Sequence, residues 1–281
     1  MTVSREVTSV KSDRVTAVRV LHSRQGRRRT GRFVVEGPQA VRSALAAGVV
    51  IRDLFMDDDA GAAFPDIAES AGARGLPVCR ATPEVLAAMG ETRQPQGVLA
   101  VCDQLPRGDL DAVMSADGPV IVLDSVTDPG NVGTVIRTAD AAGAAGVLLT
   151  PGSADVHNGK VVRSTAGSIF HLPVISGLEV ATVAAAAARH GRRVAAAAGT
   201  APVDLFDAVD DGLVSRRTCW IVGSEAHGIS ETARGAADLL VRIPMTGRAE
   251  SLNAAVAAAI VLYVTAHGDR GSGDSGRRPS G

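Results

Sequence analysis

The sequence predicts an α/β protein, with a C-terminal domain built on a parallel sheet and a small α/β domain before it. Three observations carry this. Short continuous apolar runs alternate with segments of helical spacing, the pattern of strands covered by helices on both faces. A stretch of linker composition divides the chain near its middle. A chain of 281 residues, 46% hydrophobic, suffices for two modest cores at the usual ~150 residues per domain.

Residues 1–32 read as a basic N-terminal arm. Arg24, Arg27, Arg28, Arg29 and Arg32 stand together with no acidic residue among them, and Gly26 and Gly31 discourage a stable helix there. Such a run is either a solvated tail or a phosphate-gripping arm. Residues 33–103 form the small domain. Phe33-Val34-Val35 is a β-type run, and Gly37-Pro38 opens a helix through Val41, Leu45 and Ala46, since proline at a helix start costs no hydrogen bond. Strand-like runs at 49–56, 76–80 and 97–102 then alternate with helical patterns near 62–73 and 83–89. Residues 104–118, with Pro106, Gly108, Asp109, Asp111 and Asp117, have linker composition.

The larger domain spans 119–267. Its strands are read at Val120–Leu123, Val147–Leu149, Val174–Ile175, Val194–Ala198, Trp220–Val222 and Leu239–Ile243, separated by helical segments. Ligands of such sheets bind in the crevice at the carboxyl ends of the strands. Residues 268–281 are Gly, Ser, Arg, Asp and Pro with one His-adjacent glycine at their start, too polar to bury a core, and read as a disordered tail.

Bulk properties narrow the function classes. A formal charge of -1 and a pI near 6.6 exclude a uniformly basic nucleic-acid coat, and 2% aromatics exclude a wide base-stacking platform. Contacts to a nucleic acid would therefore be local. Cys79, Cys102 and Cys219 are widely separated and odd in number, which fits neither a disulfide framework nor a CxxC metal site and suits a reducing cytoplasm. The first thirty residues lack the apolar core of a secretory signal, and the alanine runs at 183–188 and 195–198 are too short to span a bilayer. His157, His171 and His227 lack metal-ligand spacing, so no metal is expected.

Three segments that follow strands carry the chemistry. In Asp124–Arg137, Pro129-Gly130 makes a tight turn and Asn131 is read as the N-cap of a helix bearing Arg137. The GxGxxG spacing of a dinucleotide site is absent, and no GK[ST] follows for a P-loop. In Ile221–Ser230 a strand enters a polar loop with Glu225 and His227, where Gly223 and Gly228 permit close backbone approach to a ligand. In Ile243–Ile260 a loop capped by Ser251 and containing Leu252 and Asn253 feeds an alanine-rich helix. Each alone is ordinary turn chemistry; their order is specific.

Together the three segments resemble the signature motifs of the SpoU/TrmH family of RNA 2′-O-ribose methyltransferases, members of the knotted SPOUT superfamily. The resemblance covers Pro119–Gly268. Upstream, Phe33-Val-Val-Glu-Gly with Val41 and Leu45, and Glu91-Thr-Arg-Gln-Pro-Gln-Gly97, look like the RNA substrate-binding domain often fused to this catalytic domain. The resemblance implies a trefoil knot, a homodimer, and S-adenosylmethionine as methyl donor. It places Ala198, Gly199, Gly223, Ile243 and Leu252 at cofactor contacts, and Asn131, Arg137, Glu225, Ser251 and Asn253 at catalytic or site-shaping positions. Arg24, Arg27, Arg28, Arg29 and Arg163 are the expected RNA contacts.

The expected activity is methylation of a ribose 2′-hydroxyl, with ribosomal RNA favoured by the extra N-terminal domain and transfer RNA the alternative. A catalytically silent RNA-binding protein on the same scaffold is a second alternative, opposed by the intact polar set. A hydrolase, suggested by Ser251, Glu225 and His227 and by Gly273-Asp-Ser-Gly276, lacks a GxSxG elbow.

Overall fold

The computed structural model describes residues 5–224 and 226–267. The expected tail, 268–281, lies outside them. The chain parts between Pro106 and Arg107 into two compact units, and the segment Asp155–His171 belongs with the first.

The first unit opens with β1 (Arg5–Val7), α1 (Asp13–Val20), α2 (Arg24–Thr30), β2 (Arg32–Glu36) and α3 (Pro38–Ala46). It continues with β3 (Ile51–Met56), α4 (Asp58–Ala63), α5 (Pro65–Ala73), β4 (Val78–Ala81), α6 (Pro83–Met89) and β5 (Val98–Asp103). The sheet order is β1-β4-β3-β5-β2. Its pairs are parallel from β1 to β3, and β5 runs antiparallel to both of its neighbours. Val15 and Val18 of α1 and Val85, Leu86 and Met89 of α6 close one face of it.

The expected arm is part of this unit, which corrects the sequence reading. β1 pairs with β4, and α1 and α2 are capped by Ser12 and Ser23. Both glycines serve α2. A Cβ on Gly26 would lie 1.9 Å from the Val20 carbonyl oxygen, so only glycine lets the helix start against the end of α1. Gly31, at φ 67, ends it in the left-handed conformation with its N–H on the Arg27 carbonyl. Arg27 itself is 2% exposed. It donates from Nε and Nη2 to Asp155 at 3.0 and 2.7 Å and from Nη1 to the Leu21 and His22 carbonyls at 2.9 Å each, so it is a structural ion pair and not an RNA contact. Arg24, Arg28 and Arg29 are exposed.

The second unit contains α7 (Leu110–Ser115), β6 (Val120–Asp124), α8 (Pro129–Ala141) and β7 (Gly146–Leu149). After α9 (Gly159–Thr165), which belongs to the first unit, come β8 (Val174–Ser176), α10 (Val180–Arg189), β9 (Val194–Ala197), β10 (Val203–Asp204) and α11 (Leu205–Asp210). The chain then forms β11 (Cys219–Gly223), α12 (Glu231–Ala236), β12 (Leu239–Arg242) and α13 (Ala254–His267). All seven strands are parallel, in the order β10-β12-β9-β11-β6-β7-β8. One face is packed by α7, α10 and α12 around Val122, Leu148, Val183, Ala187 and Ile221. Helix α13 lies against α8 and β11.

Two boundaries differ from those read in the sequence. The stretch 104–118 is not a linker throughout, because α7 buries Val113 and Met114 in the core of the second unit. Arg192, 3% exposed, fixes its end by donating to the carbonyls of Met114, Ala116 and Gly118. The larger domain is also interrupted: Asp155–His171 folds with the first unit, held by the Arg27–Asp155 pair and by α9 packing on β2.

Candidate active site

A parallel sheet puts all its carboxyl ends on one edge, and there β6, β9, β11 and β12 deliver the three polar segments. Asp124 ends β6 at 4% exposure, in an otherwise apolar strand. Its Oδ2 accepts the Ser230 N–H at 2.7 Å, and its Oδ1 lies 3.3 Å from the Thr150 hydroxyl, which donates to it. This carboxylate therefore ties the first segment to the second. Ser125 follows at φ 56, a left-handed conformation unusual for a residue with a Cβ, with its N–H on Thr150 Oγ1 at 2.9 Å. Asp124 was not singled out in the sequence; a lone carboxylate closing an apolar strand is the signal that could have found it.

Helix α8 is capped by Asp128, whose Oδ1 accepts the Asn131 N–H at 2.9 Å, with Pro129 at the first helical position. Asn131 is therefore inside the first turn and not the cap. This frees its side chain for the third segment: Asn253 Nδ2 donates to Asn131 Oδ1 at 3.0 Å. Asn253, rather than Ser251, also caps α13, its Oδ1 accepting from Ala255 N at 2.9 Å and Val256 N at 3.3 Å. One amide pair thus joins the mouths of two helices.

Beside this pair is a cavity of about 280 Å³. Its walls include Ala198 and Gly199 after β9, Gly223 at the end of β11, and Ile243, Ser251 and Leu252 after β12, so the five residues expected to hold a cofactor surround one space. Most of the lining residues are Gly, Ala or Ser, and Val222, Ile243, Met245 and Leu252 supply larger apolar side chains. Gly223 has a structural role as well. A Cβ there would fall 1.9 Å from the Gly228 carbonyl oxygen, so its bareness lets the loop fold back on the strand, where Gly228 N–H bonds Ser224 at 2.8 Å.

Glu225 lies outside the described residues. Arg137 is exposed on α8, six residues and a turn and a half beyond Asn131, and is not among the residues lining the cavity. It has no ion-pair partner among the described residues. Arg163, in the first unit, is engaged by Glu36 at 2.6 Å and Glu91 at 3.5 Å. His157 is also in that unit, where it accepts the Leu105 N–H at 3.2 Å and its ring centroid is 4.7 Å from that of Phe33. Burial pushes its pKa down to about 4, with Asp155 opposing. Cys79, Cys102 and Cys219 are buried free thiols, and burial pushes those of Cys102 and Cys219 up to about 12.

A seven-stranded parallel sheet with three polar loops and a small-residue cavity at its carboxyl edge defines an α/β protein of ligand-binding or group-transfer type. The chain belongs to the SpoU rRNA Methylase family, which matches residues 118–263, and an MRM3-like substrate binding domain matches residues 12–100. It is 34% identical over 261 residues to the 23S rRNA (guanosine(2553)-2′-O)-methyltransferase RlmP of Bacillus subtilis (strain 168), covering 92% of this chain and 98% of that one. It is also 34% identical over 249 residues to the 23S rRNA (uridine(2479)-2′-O)-methyltransferase of Streptomyces viridochromogenes, covering 87% and 85%. Among solved structures, the AdoMet-bound rRNA methyltransferase from Sinorhizobium meliloti superposes with a TM-score of 0.82 at 31% identity, covering 94% and 97% of the two chains.

Proposed function

We propose that this chain transfers a methyl group from S-adenosylmethionine to a ribose 2′-hydroxyl of ribosomal RNA. The observation that carries the reading is the single cavity joining the ends of β9, β11 and β12, with the Asn131–Asn253 amide pair beside it. Its lining fits the donor: exposed backbone and small residues suit a polar ligand held by main-chain groups, and the apolar wall suits an adenine ring. Ala198, Gly199, Gly223, Ile243 and Leu252 hold the cofactor, which when bound supplies an electrophilic methyl. Asn131 and Asn253 shape the mouth, with Ser251 and Glu225 completing the polar set.

Arg137 serves the acceptor. A guanidinium holds its protons too firmly to act as a base, so Arg137 binds the adjacent phosphate or the developing oxyanion, and a substrate phosphate or water takes the proton. Arg24, Arg28 and Arg29, exposed on α2, contact RNA phosphates. The second unit carries the family's trefoil knot, a reading supported by β11 and β12 each lying between strands that precede them in the chain. The protein works as a homodimer in the cytoplasm; three unpaired cysteines suit a reducing compartment.

The two jobs separate on mutation. Leu252→Arg is expected to weaken S-adenosylmethionine binding more than ~10-fold by calorimetry, because a buried charge opposes the apolar wall. Arg137→Ala is expected to leave that affinity within a few-fold and to lower turnover on 23S rRNA by ~100-fold, as for loss of one oxyanion donor. Full turnover in Arg137→Ala would remove the role given to this residue, and no binding of S-adenosylmethionine by the unmodified protein would remove the function.

A further inference from the structure

The first unit holds a second cavity, of about 240 Å³, that none of the catalytic groups lines. Its rim carries Gln39, Gln94 and Gln96, and its apolar surface includes Leu86 and Pro95. One wall is fixed by charge. The Glu36 carboxylate, its side chain 9% exposed, takes Arg163 Nη1 at 2.6 Å and the N–H groups of Glu91 and Thr92 at 3.2 and 3.3 Å. Arg163 also pairs with Glu91 at 3.5 Å. Both carboxylates lie over glycines: a Cβ on Gly90 would lie 2.6 Å from Glu36, and one on Gly159 would lie 2.1 Å from Glu91. A helix (α9), a strand (β2) and the loop 91–97 are therefore locked around this space.

The chemistry of the rim selects the ligand. Arg163, the cation of the cavity, is matched by two carboxylates, so the site has no surplus positive charge for a phosphate. The three carboxamides have no hydrogen-bond partner among the described residues, and each offers donors and an acceptor side by side. That arrangement matches a neutral, planar group with a mixed donor and acceptor edge. The volume is below the ~300 Å³ at which pockets for larger ligands begin, which suits one ring system. RNA is read in sequence mainly through unpaired bases splayed out of the stack, and a glutamine amide can pair two edge atoms of one base.

We propose that this cavity receives an unpaired nucleobase of the RNA substrate and that Gln39, Gln94 and Gln96 determine specificity by bonding its edge. The proposal rests on the reading that RNA is the substrate. It changes the role of Arg163 from a phosphate contact to part of the pocket wall.

The test uses the full chain, unmodified 23S rRNA transcribed in vitro and S-adenosylmethionine. Gln94→Ala, Gln96→Ala and the double variant are compared with the unmodified protein in KM for RNA, in the salt dependence of RNA binding and in S-adenosylmethionine affinity. The expected result is a KM for RNA raised ~10-fold in the double variant, the size of a lost base contact. The slope of log affinity against log salt stays unchanged, and so does S-adenosylmethionine affinity. Gln96→Asn, which keeps the amide, recovers part of the loss. An unchanged KM in the double variant overturns the pocket, and so does a loss of S-adenosylmethionine affinity as large as the loss in KM, which would mark a general loss of folded structure. A wild-type protein that methylates no RNA overturns the underlying function instead, so the two failures are distinct.

Discussion

Asp124, Asn131 and Asn253 show how single polar side chains assemble a site from loops distant in sequence. Asp124 reaches Ser230 across 106 positions, and Asn253 reaches Asn131 across 122. Neither pairing is readable from composition, because a hydrogen bond depends on where the sheet brings two loops. The same holds for caps: Asp128 and Asn131 are both good N-cap residues, and proline at 129 decides for the earlier one by occupying the first helical position. His157 gives a residue-scale prediction. Its ordinary pKa of 6.5 falls to about 4 in the folded protein because it is buried. Between those values the unfolded chain binds a proton that the folded chain refuses, so stability rises with pH across this window and is lost as pH falls toward 4. The full effect is ~3 kcal/mol at most. Chemical denaturation from pH 7 to pH 4 is expected to show this loss, and His157→Gln is expected to remove most of it; equal pH dependence in the two proteins would contradict the assignment.

At the scale of elements, most helices and strands were legible and the exceptions have physical causes. The apolar runs locate β2 to β9, β11 and β12 to within a few residues, most plainly in β6, β7 and β11, where burial on both faces leaves little choice of residue. Helix α2 was missed because glycine propensity assumes an isolated helix, whereas Gly26 is required by contact with Val20 and Gly31 is the cap. Helix α7 was missed because its two acidic neighbours and glycine outweighed Leu110, Val113 and Met114, which share one face. Two predictions belong here. Replacing Arg24, Arg28 and Arg29 together by alanine is expected to weaken 23S rRNA binding and to flatten its salt dependence by ~0.7 to 0.9 per contact, with S-adenosylmethionine affinity unchanged; an unaltered slope would leave α2 a solvated helix. On α13, Val256 and Tyr263 are 47% and 45% exposed and lie on one face with Ile260. Small and apolar residues there suit a twofold helix contact. Tyr263→Asp is expected to halve the mass seen by light scattering at micromolar concentration, and a monomer in the unmodified protein would contradict dimerisation.

For the whole molecule, the sequence motifs and the sheet tell one story from different directions. The motifs point to residues that act together, and Gly223, Ile243, Ser251 and Leu252 from two of them surround one cavity with Ala198 and Gly199 at the carboxyl edge of a parallel sheet. What the motifs did not contain is the division of labour in the first unit, where Arg27 and Arg163, both basic and both expected on RNA, are held by Asp155, Glu36 and Glu91. Ion pairing across 72 to 128 positions is set by the fold, and a count of charges does not foresee it. The proposed reaction delivers the methyl to a ribose oxygen in ribosomal RNA. The direct measurement is mass spectrometry of nucleosides released from unmodified 23S rRNA after incubation with the protein and isotopically labelled S-adenosylmethionine. Label is expected on a ribose 2′-oxygen at one nucleotide and is abolished when that nucleotide is 2′-deoxy; label on a base, or none at all, would overturn the ribose assignment.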